Sequence, residues 1–184
     1  MGGAPSSRAE IFAALARGLD IPGVCRRFGL SREELAQLFL EAAALFPQEN
    51  TGPWTLYVDG ASRGNPGPAG AGALLLDPDG NKKGQVSRYL GETTNNVAEY
   101  QALLQGLELA LKLGVKNLQI FADSLLVVQQ LKGAYQVKTP HLFPLFSQAR
   151  KTLQEFDAWA ISHLDRSLNH EADRLARQAI DRHQ

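Results

Sequence analysis

Two kinds of apolar spacing divide the chain. Up to residue 46 apolar positions recur every three or four residues, the spacing of helices; from Trp54 onward short alternating or continuous apolar runs sit between turn residues, the spacing of strands. In the first stretch Ser7 is placed to cap a helix through Ile11, Ala14, Leu15 and Leu19. Asp20 is placed to cap a second, with Pro22 in its first turn and Gly29 past its end. Ser31 with Glu34 forms a capping box ahead of Leu35, Leu38, Phe39 and Leu45. In the second stretch strands are predicted at 54–59, at 71–76 after a Gly/Pro/Asn-rich turn over 60–68, and near 85–90. A long helix capped by Asn95 or Asn96 follows through Leu113. Then come a short strand at 118–122, helices at 125–131 and 141–156, a strand at 158–163 and a closing helix at 169–182. Three strands on tight connections imply an antiparallel ribbon, and the later strands alternating with helices imply parallel additions to one sheet.

Composition sharpens the division. Residues 47–53 read Pro-Gln-Glu-Asn-Thr-Gly-Pro, a linker, so the expected organisation is a helical domain over 1–46, a linker over 47–53 and an α/β domain over 54–184. Nineteen basic residues balance nineteen acidic ones across 184 residues, which excludes a uniformly basic nucleic-acid coat but not a local patch. A single cysteine, Cys25, excludes an internal disulfide framework and a multi-cysteine zinc site. No run approaches the length of a membrane span and no signal-peptide pattern opens the chain, so the expected protein is cytoplasmic and without a membrane partner. No oligomerisation stripe stands out, so a monomer is expected, with helix 32–46 as the one segment that could dimerise.

The acids fall at informative places. Asp59 interrupts an apolar strand before a glycine, Asp123 ends another apolar strand, Glu99 lies one turn into the long helix, and Asp173 lies early in the last. Acids at buried strand ends are costly without a compensating cation, and no Lys or Arg neighbours Asp59 or Asp123 in sequence; Mg²⁺ would compensate them. Taken singly, each has a plain structural role: Asp59 and Asp123 as caps, Glu99 as a helix surface residue, Asp173 as a partner of the helix dipole.

Four segments decide between these readings. Asp59-Gly-Ala-Ser-Arg-Gly-Asn-Pro-Gly-Pro-Ala-Gly-Ala-Gly72 resembles the first motif of type 1 ribonuclease H, and Thr93-Thr-Asn-Asn-Val-Ala-Glu-Tyr100 resembles the second. Phe121-Ala-Asp-Ser124 resembles the third, and His163-Leu-Asp-Arg-Ser-Leu-Asn-His-Glu-Ala-Asp173 the fourth. They occur in the family's order over residues 54–182. The resemblance implies a ribonuclease H-like fold, a five-stranded mixed sheet flanked by helices. It also implies a site in which Asp59, Glu99, Asp123 and Asp173 hold two Mg²⁺ ions, with Mn²⁺ able to substitute. The implied activity is endonucleolytic cleavage of the RNA strand of RNA–DNA hybrids, leaving 5′-phosphate and 3′-hydroxyl ends. His163 occupies the position of a histidine that assists proton transfer or product release. Asn65, Asn95 and Asn96 match residues that read the 2′-hydroxyl side of the minor groove, together with backbone groups near Ser62 and Glu99, and Thr94 matches one that binds a DNA phosphate. His170 is expected at the surface. The rival readings are another nuclease of the same fold and a catalytically silent hybrid-binding module.

The chain also departs from the best-known bacterial pattern. Leu125 stands where a glutamine often sits, and residues 132–140 join two helices with no basic protrusion of the kind that grips the hybrid in other members, as in archaeal and some bacterial forms; the resemblance leaves Lys132, Tyr135 and Lys138 as its replacements. In the first fifty residues, the segment from Val24 to Ser31 is similar to the turn of a helix-turn-helix, and Arg26, Arg27 and Arg32 suit phosphates. Glu33, Glu34 and Glu41 oppose them, so the partner expected for these helices is a protein or a nucleic acid.

Overall fold

The computed structural model describes residues 8–45 and 52–183, and the chain divides into two compact units, residues 1–49 and 50–184. In the first, α1 (Arg8–Ala16), α2 (Ile21–Phe28) and α3 (Arg32–Leu45) enclose a core of Ile11, Ala14, Val24 and Leu35, against which Cys25 packs half-buried. The caps of α2 and α3 follow the sequence: Asp20 accepts the Gly23 amide, Gly29 takes the left-handed conformation, and Ser31 and Glu34 exchange reciprocal hydrogen bonds of 3.0 and 2.7 Å. Ser7, read as the cap of α1, and residues 46–51 of the linker region lie outside the described residues.

The second unit is a five-stranded mixed sheet: β1 (Trp54–Ser62), β2 (Gly67–Leu76), β3 (Lys82–Thr93), β4 (Asn117–Ala122) and β5 (Ala158–His163), in the order β3-β2-β1-β4-β5. β1, β2 and β3 pair antiparallel, and β4 and β5 add in parallel, as the sequence pattern implies. The helices are α4 (Asn95–Lys112), α5 (Leu125–Leu131), α6 (Phe143–Leu153) and α7 (His170–Asp181), with a 3₁₀ turn over Arg166–Leu168 before the last.

Glycine placement explains where the sequence reading falls short. The run over 60–68 reads as a turn with the next strand from 71, yet β1 continues to Ser62 and β2 already begins at Gly67. Gly60, Gly70 and Gly72 are strand residues that let helices close in. A Cβ on Gly72 would lie 2.1 Å from the Ala172 carbonyl oxygen and one on Gly70 2.3 Å from that of Ala176, so α7 presses its backbone onto this face. On the opposite face Gly106 of α4 sits against Leu56 and Val58. The main core is built there, from Leu56, Val58, Ala73, Leu75, Leu103, Leu107, Ile120 and their neighbours.

Other boundaries shift by a few residues. β3 extends in both directions, and α6 is shorter because Leu142 is buried as its N-cap residue. The cap of α4 is Thr94, whose hydroxyl accepts the Val97 amide; Asn95 and Asn96 are the first helical residues, a correction to the expected cap. Likewise Ser124, not Asp123, caps α5, which leaves the Asp123 carboxylate free of the helix.

Candidate active site

β1 and β4 are adjacent and parallel, so Asp59 near the end of one and Asp123 just past the end of the other meet at one edge of the sheet. Asp59 pairs in register with Gly72, on the face covered by α7. Glu99 arrives from α4 because Gly60 has no side chain: a Cβ there would lie 2.2 Å from the Glu99 amide nitrogen. The Gly60 N–H donates to Glu99 Oε2 at 3.1 Å and fixes the carboxylate. One oxygen from each of Asp59, Glu99 and Asp123 falls within 4.8 Å of the other two.

Three carboxylates this close repel one another, and two are buried: Asp59 is 1% exposed and Glu99 6%. Burial, then the neighbouring Asp123 and Asp173, push the Asp59 carboxyl up to about 8. Burial and the charges of Asp59 and Asp123 push Glu99 well above the usual carboxylate range. Arg166 opposes both shifts from the rim. Asp59 Oδ2 is buried without a hydrogen-bond partner. A converging all-oxygen donor set with a buried lone pair unspent fits a hard divalent ion such as Mg²⁺.

Asp173 stands beside this cluster. Arg166 Nη2 and Arg177 Nε grip its two oxygens at 2.7 and 2.8 Å, although its charge still reaches Asp59. His163, exposed at the end of β5, lies with Nε2 3.1 Å from the Asp123 carbonyl oxygen. A carbonyl only accepts, so this contact places the proton on Nε2 and leaves Nδ1 as the basic nitrogen. Asn65 ties the β1–β2 turn to α4 by accepting the Asn95 amide at 3.1 Å, and Asn95 Nδ2 reaches Glu99 Oε1 at 3.5 Å. Ser62 Oγ donates to the Gly64 carbonyl at 2.7 Å. Thr94 is occupied as a cap, Asn96 is exposed beside it, and His170 is exposed at the start of α7. Ser62 and Asn95 share a hollow of about 400 Å³ with Arg63, Arg166, Arg177 and Asp181.

Sequence reasoning did not single out Arg166, Arg177 or Asn169. The i,i+4 spacing of Asp173 and Arg177 on a helix was the available signal. Asn169 had none. It is buried, and its amide bridges the strands by donating to the Val58 carbonyl at 2.9 Å and to Asp123 Oδ1 at 3.5 Å.

A mixed sheet of this order, with acids gathered where β1 and β4 end beneath α4, defines an α/β protein with a carboxylate cage of the ribonuclease H kind. The sequence model of a family described as reverse transcriptase-like matches residues 57–179. Ribonuclease HI of Halobacterium salinarum is 44% identical over 125 residues, covering 68% of this chain and 63% of that one. Ribonuclease H of Chlorobium phaeobacteroides is 34% identical, over 68% of this chain and 94% of that one. The crystal structure of LC11-RNase H1 in complex with RNA/DNA hybrid superposes with a TM-score of 0.68 at 39% identity, covering 71% of this chain and 98% of that one. The chain belongs to the ribonuclease H family. It spans less than two thirds of the Halobacterium relative, and the family match leaves the helical unit outside it.

Proposed function

We propose that this protein hydrolyses the RNA strand of RNA–DNA hybrids at internal phosphodiester bonds, leaving 5′-phosphate and 3′-hydroxyl ends. The carboxylate cluster carries the reading: three acids converge around an unpaired, buried Asp59 oxygen, on a fold shared with a relative solved on a hybrid. Asp59, Glu99 and Asp123 would hold divalent metal, with Asp173 as the fourth carboxylate of a site for two Mg²⁺ ions, replaceable by Mn²⁺. Bound there, such ions make a coordinated water nucleophilic at neutral pH and stabilise charge on the leaving oxygen.

The chain's own groups supply the rest. Gly60 and Asn169 hold Glu99 and Asp123 in place through their N–H donors. Arg166 and Arg177 position Asp173 and, in the hollow shared with Ser62 and Asn95, offer guanidinium groups to a strand phosphate. Asn65, Asn95 and Asn96 present polar atoms to the minor groove, where the 2′-hydroxyl distinguishes RNA, and Thr94 faces the DNA strand. His163 Nδ1 is free to exchange a proton with the product side of the reaction.

The test is a labelled hybrid incubated with Mg²⁺, Mn²⁺ or EDTA, beside DNA duplex, RNA duplex and single-stranded RNA. Internal cuts confined to the RNA of the hybrid and abolished by EDTA are expected; no cleavage with either metal would overturn the proposal.

A further inference from the structure

We propose that the buried hydrogen bond between Tyr100 and Gln130 is a pin that sets α5 against α4, and so holds Asp123 and Glu99 at the spacing a divalent ion needs. Both are positioning residues, and the inference rests on the reading that these carboxylates hold metal.

The bond itself is the first observation. Tyr100 is 0% exposed and Gln130 4%, and the Tyr100 hydroxyl donates to Gln130 Oε1 at 2.6 Å across thirty residues of sequence. Tyr100 otherwise belongs to an apolar cluster that includes Leu103, Leu104, Val127, Val128 and Leu131. A phenylalanine facing a leucine would fill such a place with no polar atom to satisfy. Exchanging both partners of a buried hydrogen bond for apolar groups of similar shape costs a fold little. Apolar packing is non-directional, whereas a hydrogen bond is made at one distance and over a narrow range of angles. The pair therefore contributes direction more than burial.

Position is the second. Tyr100 follows Glu99 on α4 and lies about 100° further round the helix, so the acid meets β1 while the ring meets α5. Asp123 and Ser124 directly precede α5, and Gln130 lies in its last turn. Each half of the bond is thus joined to one acid by helical backbone, one residue long on α4 and about two turns long on α5. Little else sets α5. It has seven residues, and the bond of its Ser124 cap is 3.5 Å long. Among the described residues its other side-chain tie to a different element runs from Arg150 to the Leu131 carbonyl, at 3.4 Å.

Closure is the third. Three pieces of the fold carry the cage: β1 with Asp59, α4 with Glu99, and the β4–α5 junction with Asp123. The Gly60 N–H ties β1 to Glu99 at 3.1 Å. Asn169 ties β1 to the junction by donating to the Val58 carbonyl and to Asp123 Oδ1. The Tyr100–Gln130 bond is the remaining side of the triangle, from α4 to α5. In the metal-free protein Glu99 and Asp123 repel each other, and α4 parting from α5 is a movement that relieves them. The pin stands across that movement.

The experiment compares Tyr100→Phe, Gln130→Leu and the double variant with wild type, all as the full chain. Calorimetry follows Mn²⁺ binding, thermal melting in EDTA reports the fold, and cleavage of an RNA–DNA hybrid at saturating Mn²⁺ gives kcat and KM. Tyr100→Phe leaves the Gln130 oxygen buried and unpaired, so it is expected to melt lower than wild type. It is also expected to bind Mn²⁺ about three- to tenfold more weakly, below the roughly 10–100-fold typical when a direct partner of a metal ligand is lost. The double variant leaves no polar atom unpaired, so its melting temperature should recover. Its Mn²⁺ binding should stay weakened, and its kcat should fall about tenfold with KM for the hybrid within about twofold. A purely structural bond would return metal binding together with stability. A double variant with wild-type Mn²⁺ affinity therefore overturns the pin, even if the hybrid is cut. A wild type that binds Mn²⁺, is weakened by these substitutions and never cuts overturns the hydrolase reading and leaves the pin standing. A wild type that takes up no Mn²⁺ overturns the metal site and the pin together.

Discussion

Asp59 is expensive for the metal-free protein: it is buried, one oxygen is unpaired, and Asp123 and Asp173 repel it. Its carboxyl is raised, so the folded state holds a proton that the unfolded chain releases near pH 4. The stability associated with that proton is complete below pH 4 and is lost as pH rises towards about 8. Asp59→Asn should therefore stabilise the metal-free protein, by about 1–3 kcal/mol at pH 8 and by progressively less towards pH 4, in denaturant titrations. Adding Mg²⁺ should reverse the ranking, since only the wild type gains stability by binding it. A variant less stable than wild type in EDTA at pH 8 would mean that the site carries no such strain. Asp123→Asn is expected to keep the fold and to lose nearly all hybrid hydrolysis, because a neutral amide cannot serve as a shared carboxylate ligand; wild-type turnover would refute the cage. At this scale Asp59 and Asp123 drew notice because an acid in or at the end of an apolar strand is anomalous, whereas Glu99 and Asp173 stood out only through the motifs that contain them. The grip on Asp173 was not legible, because Arg166 reaches it from a 3₁₀ turn whose path the sequence pattern does not specify.

Between elements, the decisive contact is the crossing of α4 over β1 at Gly60. The distances of 2.2 and 2.3 Å from a hypothetical Cβ to the Glu99 nitrogen and the Ala98 carbonyl carbon are to backbone atoms, which no rotamer change relieves. Gly60→Ala must drive α4 off the strand or fail to fold, a loss of about 3 kcal/mol or more, and should displace Glu99 from the site as well. Gly80→Ala is the control: it meets open space and faces only a left-handed φ of +82°, so about 1 kcal/mol is expected. Thermal melting of the two variants side by side makes the comparison; equal losses would show that the crossing is not tight. The succession of elements along the chain was legible because alternation, continuous apolar runs and helical spacing each mark a different kind of element. The glycine-rich stretch misled because glycine marks a turn and a close helix–strand approach alike, and only the packing of α7 tells them apart. The cap of α4 misled for a related reason: Thr94, Asn95 and Asn96 all cap well, and which one does so depends on where β3 ends.

At the scale of the whole chain, each unit draws its core from its own residues: Ile11, Ala14, Val24 and Leu35 in one, and residues from Leu56 to Ile161 in the other. The two cores are very unequal. A helical unit of about forty residues, closed among its described residues by four buried apolar side chains, is near the lower limit for independent folding, while the sheet unit buries an ordinary domain core. Calorimetry of the full chain should accordingly show two transitions, a weak one at lower temperature from the helices and a strong one from the sheet. Leu35, 2% exposed, joins α3 to the small core, and Leu35→Ala removes about 2–5 kcal/mol, as much as such a unit can hold. The variant should lose the lower transition, keep the upper one within a degree or two, and cut a short hybrid within about twofold of the wild-type rate, because no carboxylate of the site lies in the helical unit. If the upper transition fell with the lower, the two units would unfold as one, and the helices would be a structural part of the nuclease unit. If both transitions behaved as expected but cleavage of a short hybrid collapsed, the helices would act on the substrate, and the arginines of α2 would be the next residues to change.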